Sequence, residues 1–488
     1  MTTAAVLRTR PESTLDLNLV RHGFAYVGAI CAVLAPFSTV PLELAVGGAV
    51  PWLILRIIGT PAMPAAVVYL FVWQWLQVFA RAPEAWVDGE TLSNGLYGPS
   101  VARAYWYMLA SLVMLAMVFR LVLGNVKPAT PAQRTAHYRW QVNDLLILYI
   151  AATILSLGVV MAFRVVPTLQ QPLSALGQLK IVAVFVLFTY VMSTGRGTKV
   201  MVGVILFEIL SGFSGFLSDF RGVFVYLAIA AIAARIRWSG TIATAGVIGL
   251  TVLVTLSLFW TSVKSDYRTF AAQSDESQAL VTPLSDRLAY LGNKAISPDI
   301  NLGRTSYMLL NRLAYVDIFG SVIDVQEASP ESMAMRQWRE AIGHVLAPRI
   351  FFPGKGDLSD SEVYMRLARG FSFEETRMGT SISVGYMGEM FADMGFPGML
   401  VGIAFLGLMV AGVIRMILSF EVPLMMREGI VMGFAFSMSR DGVEVSLPKI
   451  LGAMFMFFIV FLMLNKFAFP KVMKWLDQRS AIARLRRS

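Results

Sequence analysis

The sequence predicts an all-α fold: a polytopic helical membrane protein of about 12 transmembrane helices (11–13), with one large helical loop outside the cytoplasm. Three observations predict it. Of 488 residues, 56% are hydrophobic and only 15% are charged, against about 25% charged in an ordinary soluble domain. Apolar runs near the roughly 20 residues that a spanning helix needs recur along the chain. One segment, 263–385, has the charge density of a water-facing region, with 28 charges in 123 residues. The mean hydropathy of +0.64 excludes a disordered chain.

The elements follow in order. Residues 1–20 are polar, carry no small-residue cleavage site after a short apolar core, and are expected to be a cytoplasmic tail. Nine apolar runs fill 21–262, at 23–41, 42–59, 62–80, 101–123, 143–163, 175–194, 200–218, 221–236 and 240–262. The second contains Pro51 and Arg56 and is weak enough to be re-entrant; the eighth is weak by length. The insertion 263–385 comes next, then three runs within 386–468 at 395–418, 428–447 and 448–468. Residues 469–488 form a basic tail.

Orientation follows from Lys and Arg in the short loops. Arg8, Arg10 and Arg21 lie at the start. Lys127, Arg134 and Arg139 follow the fourth run, Arg196 and Lys199 the sixth, and Arg235 and Arg237 the eighth. The tail adds Lys471, Lys474, Arg479, Arg484, Arg486 and Arg487 against Asp477. With twelve spans all of these fall on one side, so both termini are expected in the cytoplasm and the insertion outside it. The net charge of +10 is then a positive-inside bias, not a nucleic-acid footprint.

Inside the insertion, Ser329-Pro330-Glu331 has the composition of a helix start, with Met335, Trp338, Ile342 and Val345 at helical spacing behind it. Ser359 and Glu362 form a capping-box pattern ahead of Arg366 and Arg369. Leu302–Phe319 is expected to be one more helix.

The single cysteine, Cys31, excludes an internal disulfide, a CxxC pair and a thiolate zinc cluster. Three histidines leave little for a metal site, and no nucleotide-binding or metalloprotease motif is present; no cofactor and no metal are expected. Charged residues at the outer ends of spans are left to carry chemistry. SGFSGFLSDFRG (211–222) places Asp219 and Arg221 in a short turn. SMSRDGVEVSLPK (437–449) puts Arg440, Asp441 and Glu444 in a run that is otherwise apolar, where a charge costs several kcal/mol unless it faces a cavity or a partner; Arg440 and Glu444 stand at i,i+4 and could pair on a helix face. HVLAPRIFFPGK (344–355) presents His344, Arg349 and Lys355. RMGTSISVGYMGEMFADMGFPGML (377–400) holds Arg377, Glu389 and Asp393, with glycines that allow close packing or a broken helix.

Each cluster also has a structural reading: an exposed turn, an ion pair, or a loop docked on the membrane. Arginines beside one or two carboxylates at a membrane boundary, however, suit diphosphate recognition with a general base nearby. This chemistry fits transfer of a sugar from a lipid diphosphate, with Glu389 or His344 as base, Arg221, Arg349, Lys355, Arg377 and Arg440 on the diphosphate, and Asp219 and Glu444 in support.

APRIFFPGK followed by SISVGYMGEMFADMGFPG, with SGFSGFLSDFRG before it, resembles the Wzy-type polysaccharide polymerases, in the wider group that includes the O-antigen ligases. The resemblance covers about residues 200–465. It implies a bacterial inner-membrane protein with a large periplasmic loop, acting on undecaprenyl-diphosphate-linked glycans among membrane lipids, with a chain-length regulator protein as partner and no nucleic acid. It carries Arg221, Arg349, Lys355 and Glu389 over as site residues. His344 resembles the ligase loop histidine in location, and Arg377 and Arg440 come from the physical reading alone. An O-antigen ligase and a flippase-type transporter are the alternatives.

Overall fold

The computed structural model describes residues 14–94, 99–213, 220–273, 281–296, 301–328, 335–347, 352, 354–356, 358–368, 382–439 and 441–485. These residues are helical, apart from turns and one bridge between Thr14 and Arg237. In chain order the helices are α1 Leu17–Leu34, α2 Pro41–Ile58, α3 Ala66–Phe79, α4 Arg81–Val87, α5 Val101–Leu123, α6 Pro131–Thr135, α7 Val142–Val165, α8 Gln170–Gly177, α9 Leu179–Thr194, α10 Thr198–Phe213 and α11 Arg221–Ala234. They continue as α12 Gly240–Ala272, α13 Leu284–Ile296, α14 Leu302–Leu313, α15 Val316–Ala328, α16 Arg336–Leu346, α17 Asp360–Ala368, α18 Gly385–Leu418, α19 Leu424–Ser439, α20 Leu447–Phe467 and α21 Phe469–Leu485.

Eight stretches among the described residues are long and apolar enough to cross a membrane: Leu17–Phe37, Pro41–Ile58, Val101–Leu123, Val142–Phe163, Gln170–Thr194, Gly240–Ala272, Gly385–Leu418 and Leu447–Phe467. The other four apolar runs form helices of 14 to 16 residues, α3, α10, α11 and α19. Exposure explains the composition. α12 shows Val247, Ile248 and Leu250 on its surface, and only 6% of its apolar window is buried. A patch of that extent is intolerable in water and ordinary in lipid.

Asp16 caps α1 by accepting the N–H groups of Asn18 and Leu19, both at 3.0 Å. α1 and α2 then pack through small residues: a Cβ at Gly48 would stand 2.6 Å from the Cβ of Cys31, so the backbones approach as closely as membrane helices allow. Pro51 lies inside α2 without ending it, so the second run is a continuous helix.

The insertion is built on the bundle. Val316, Phe319, Val322, Trp338, Tyr364 and Leu367 belong to the same apolar core as the membrane helices, and a Cβ at Gly320 would meet Val101 at 2.8 Å. Arg81 of α4 bonds Asp317 at 2.9 Å and Glu84 at 3.3 Å, all three buried; Arg103 of α5 reaches Glu327, and Ser100, just before α5, reaches Asp324. Burial pushes the Glu84 carboxyl up to about 7 and raises that of Asp317, against the pull of Arg81.

Two details differ from the sequence expectation, and a third falls outside the described residues. Leu302–Phe319 is two helices, because Tyr315 leaves the helical path to donate its N–H to the carbonyl of Gln77 at 3.1 Å. The tenth run begins at Gly385, and its helical path breaks at Gly395 (φ 60) and Phe396, dividing α18 into two limbs. The Ser329–Glu331 start lies outside the described residues, and the helix described there runs from Arg336. Ser359 does cap α17, accepting the N–H of Glu362 at 3.4 Å.

Candidate functional site

At one end of the bundle the first limb of α18, the end of α3 and segment 439–447 form a polar knot. Gln77 accepts the Val443 N–H at 2.8 Å and donates to the Asp441 carbonyl and the Glu444 carboxylate, each at 3.1 Å. Tyr386 donates its hydroxyl to Gln74 at 2.6 Å and its N–H to the Val445 carbonyl at 2.8 Å. Gly442 (φ 67) and Gly385 (φ 79) are required: each has left-handed backbone, and a Cβ would overlap Gln77 at the first and the Val443 carbonyl at the second.

Glu389 is part of this knot. Its side chain, on a residue 2% exposed, accepts the Leu447 N–H at 2.8 Å in the first turn of α20, where a carboxylate also complements the helix dipole. Asp360, Asp393 and Arg366 are the charges that act on it. Asp393 accepts the N–H groups of Gln337 and Trp338, both at 2.9 Å, and so caps α16 from another helix. Glu444 sits in a 3-10 turn after α19. Its carboxylate accepts a hydrogen bond from Gln77 at 3.1 Å; Arg440, the partner expected from the sequence, lies outside the described residues.

Beside the knot lies a cavity of about 530 Å³, lined by Gln170, Gln171 and Gln178 of α8 and its C-cap, His344, Lys355, Asp360, Ser437 and Lys449. Lys449 bonds Asp360 at 2.5 Å. Lys355 donates to the His344 and Ala347 carbonyls at the end of α16, a favourable place for a cation. A second cavity of about 450 Å³ shares Ser174, Gln178, Ser437 and Ala453 with the first, so the two adjoin. It adds Lys180, which bonds Glu208 at 2.8 Å, together with Asp441 and the apolar Val159, Val160 and Phe163 of α7. Glu208 also accepts the Tyr149 hydroxyl. The Gln178 side-chain oxygen is buried there with no hydrogen-bond partner.

The expected site residues are therefore only partly gathered. His344 and Lys355 line the cavity. Glu389 and Glu444 are spent in the adjoining knot and line neither cavity. Arg221 opens α11, two residues before Val223 of the second cavity. Asp219, Arg349, Arg377 and Arg440 lie outside the described residues. Sequence reasoning missed Lys180, Glu208, Asp360 and the three glutamines; lone charges in the apolar runs 175–194 and 200–218 were the available signal. Among the described residues, no group of three or more His, Cys, Asp or Glu side chains is placed to hold a metal ion.

No curated protein and no solved structure matches the chain. Residues 101–421, from the start of α5 through the insertion to just past the end of α18, match a family described as a domain of unknown function, DUF8712. The chain belongs to that family.

Proposed function

We propose that the protein is a membrane glycosyltransferase that joins undecaprenyl-diphosphate-linked oligosaccharide repeat units at the periplasmic face of a bacterial inner membrane. In this reading twelve helices span the membrane, both termini are cytoplasmic and 263–385 is the periplasmic loop. One observation carries it: the paired cavity has the polarity of a glycolipid head. Amides and hydroxyls of Gln170, Gln171, Gln178, Ser174 and Ser437 suit sugar hydroxyls. Lys355, Lys449 and His344 supply donors for a diphosphate. At the other end the wall is α7, where Val160 lines the cavity yet is 53% exposed on the apolar outer surface, so a polyprenyl chain can leave sideways into lipid.

In the transfer, the acceptor hydroxyl gives its proton to His344 and its oxygen attacks C1 of the donor sugar. The bond from C1 to the diphosphate oxygen breaks, and that oxygen keeps the electron pair. Lys355 and Lys449 stabilise the charge on the departing polyprenyl diphosphate. In the chain, Arg349 falls between His344 and Lys355, and Arg440 directly precedes the cavity residue Asp441; both are proposed to add bidentate contacts. Glu389 is assigned to positioning.

The purified protein, given only lipid-linked repeat units in liposomes, forms polymer without nucleotide. Lys355→Ala and Lys449→Ala each slow chain growth about 100-fold, the scale of one lost contact to developing charge. An absolute need for a nucleotide sugar refutes the reading, as does wild-type chain growth in both variants.

A second reading, transport, is favoured by the Lys180–Glu208 pair within two apolar helices, since ionisable groups in such segments mark transport pathways in many proteins. It predicts single units crossing the liposome membrane with no polymer formed.

A further inference from the structure

A third cavity lies at the opposite end of α19. Its volume is about 700 Å³, within the range of small-molecule sites and several times that of a bare phosphate. Helix ends enclose it: the start of α1, the turn between α2 and α3, the segment after α5, the end of α11 and the start of α19. On α19 its lining reaches Glu428 and that of the paired cavity begins at Phe436, so about 12 Å of helix separates the two.

Four cations line it, Lys127, Arg134, Arg235 and Arg427, against Asp16 and Glu428. Asp16 is committed to the first turn of α1. Glu428 is the one carboxylate left, and Arg134, Arg235 and Arg427 all act on it. The cations therefore outnumber their counter-charges. Burial, together with the nearby Arg235, pushes the Arg134 guanidinium below its ordinary value.

Two further groups point to a ligand. The Nε of Arg427 is buried with no hydrogen-bond partner, although its Nη1 donates to the Leu418 carbonyl at 2.6 Å. The hydroxyl of Thr60, on a residue only 7% exposed, is buried and unpartnered in the same wall. A buried donor left unmet is costly, and both belong to residues that line one cavity with excess positive charge, the setting that favours an oxyanion. Planar guanidinium forks match phosphate oxygens in particular.

We infer that this cavity is a second binding site, for a phosphate or diphosphate group, on the membrane face opposite the paired cavity. Arg134, Arg235 and Arg427 hold the oxyanion, the Thr60 hydroxyl donates to it, and Lys127 screens the mouth. The inference does not depend on the glycosyl-transfer reading.

The full-length protein is placed in nanodiscs of phosphatidylcholine and titrated with inorganic pyrophosphate, with heat of binding and thermal stability as readouts. Saturable binding that weakens at least about 10-fold in Arg134→Ala and in Arg235→Ala, and falls as salt rises, supports a site for a soluble phosphate compound. If pyrophosphate does not bind, the same proteins are compared in nanodiscs containing phosphatidic acid. Stabilisation of the wild type by that lipid, lost in both variants, assigns the site to a lipid headgroup. Identical behaviour of the wild type and both variants with both probes overturns the inference. Melting of the unliganded variants within a few degrees of wild type shows that the comparison is between folded proteins, and Arg134→Lys, which keeps the charge, provides a second folded control that retains part of the binding.

Discussion

At the scale of single residues, Glu389 shows how a functional and a structural carboxylate look alike in sequence. A glutamate in a glycine-rich apolar segment is costly wherever it sits, so the sequence flags it without saying what offsets the cost. The structure supplies the Leu447 N–H at 2.8 Å. Glu389→Gln keeps an acceptor oxygen and is expected to retain both fold and chain growth. Glu389→Ala orphans a buried N–H and should lower stability by about 1–3 kcal/mol, read as a shift in the detergent melting curve. Loss of chain growth in Glu389→Gln at unchanged stability would return this residue to the chemistry. His344 and Lys355 were legible because they punctuate an apolar strip. Lys180 and Glu208 carry the same kind of signal, but 28 positions separate them and no local pattern links them. Only packing of α9 against its neighbours brings their charges to 2.8 Å.

At the scale of elements, periodicity located the helices, and tertiary hydrogen bonds decided where they stop. The apolar pattern of 302–319 runs through Tyr315, and what divides the helix there is the carbonyl of Gln77, distant in sequence. Pro51 is the reverse case: the sequence suggests a break, and α2 continues because it is packed against α1 and α5. The glycine pattern of 385–398 did announce a broken helix, which is found at Gly395. Segment 439–447 owes its course to Gln77 and to the left-handed Gly442. Gly442→Ala adds a methyl where the Gln77 amide oxygen lies. It is expected to cost more than about 1 kcal/mol from backbone strain alone and to increase proteolysis within 439–447, measured by limited digestion. Unchanged digestion and melting would show that the knot yields without loss.

At the scale of the whole molecule, the insertion is tied to the bundle by a buried arginine between two carboxylates. With Glu84 raised from an ordinary 4.5 to about 7, the folded state holds this proton more tightly than the unfolded chain does. The stabilisation is complete below about pH 4.5 and is lost as pH rises through 7. At about 1.4 kcal/mol per pKa unit, the wild type should be less stable at pH 8 than at pH 5 by on the order of 2 kcal/mol. Glu84→Gln should flatten that slope, seen in melting curves at the two pH values and in amide exchange of 316–328. A slope preserved in Glu84→Gln would place the titrating group elsewhere. The charge asymmetry of the sequence also acquires a location. Lys127, Arg134 and Arg235, read from the sequence as markers of orientation, converge with Arg427 around one cavity. Loop charge only predicts that they share a side of the membrane; the fold brings them to one cavity.

The contact between Gly48 and Cys31 has a practical consequence. Cys31 is the chain's single cysteine, and the pressed seam of α1 and α2 keeps its sulfur buried. For membrane-impermeant thiol reagents the natural protein is thus close to a blank background. A cysteine placed at exposed Ser285 of α13 or Lys474 of α21 becomes the one reactive handle, and its labelling from either side of a sealed vesicle reads the orientation of the chain without first removing anything from it.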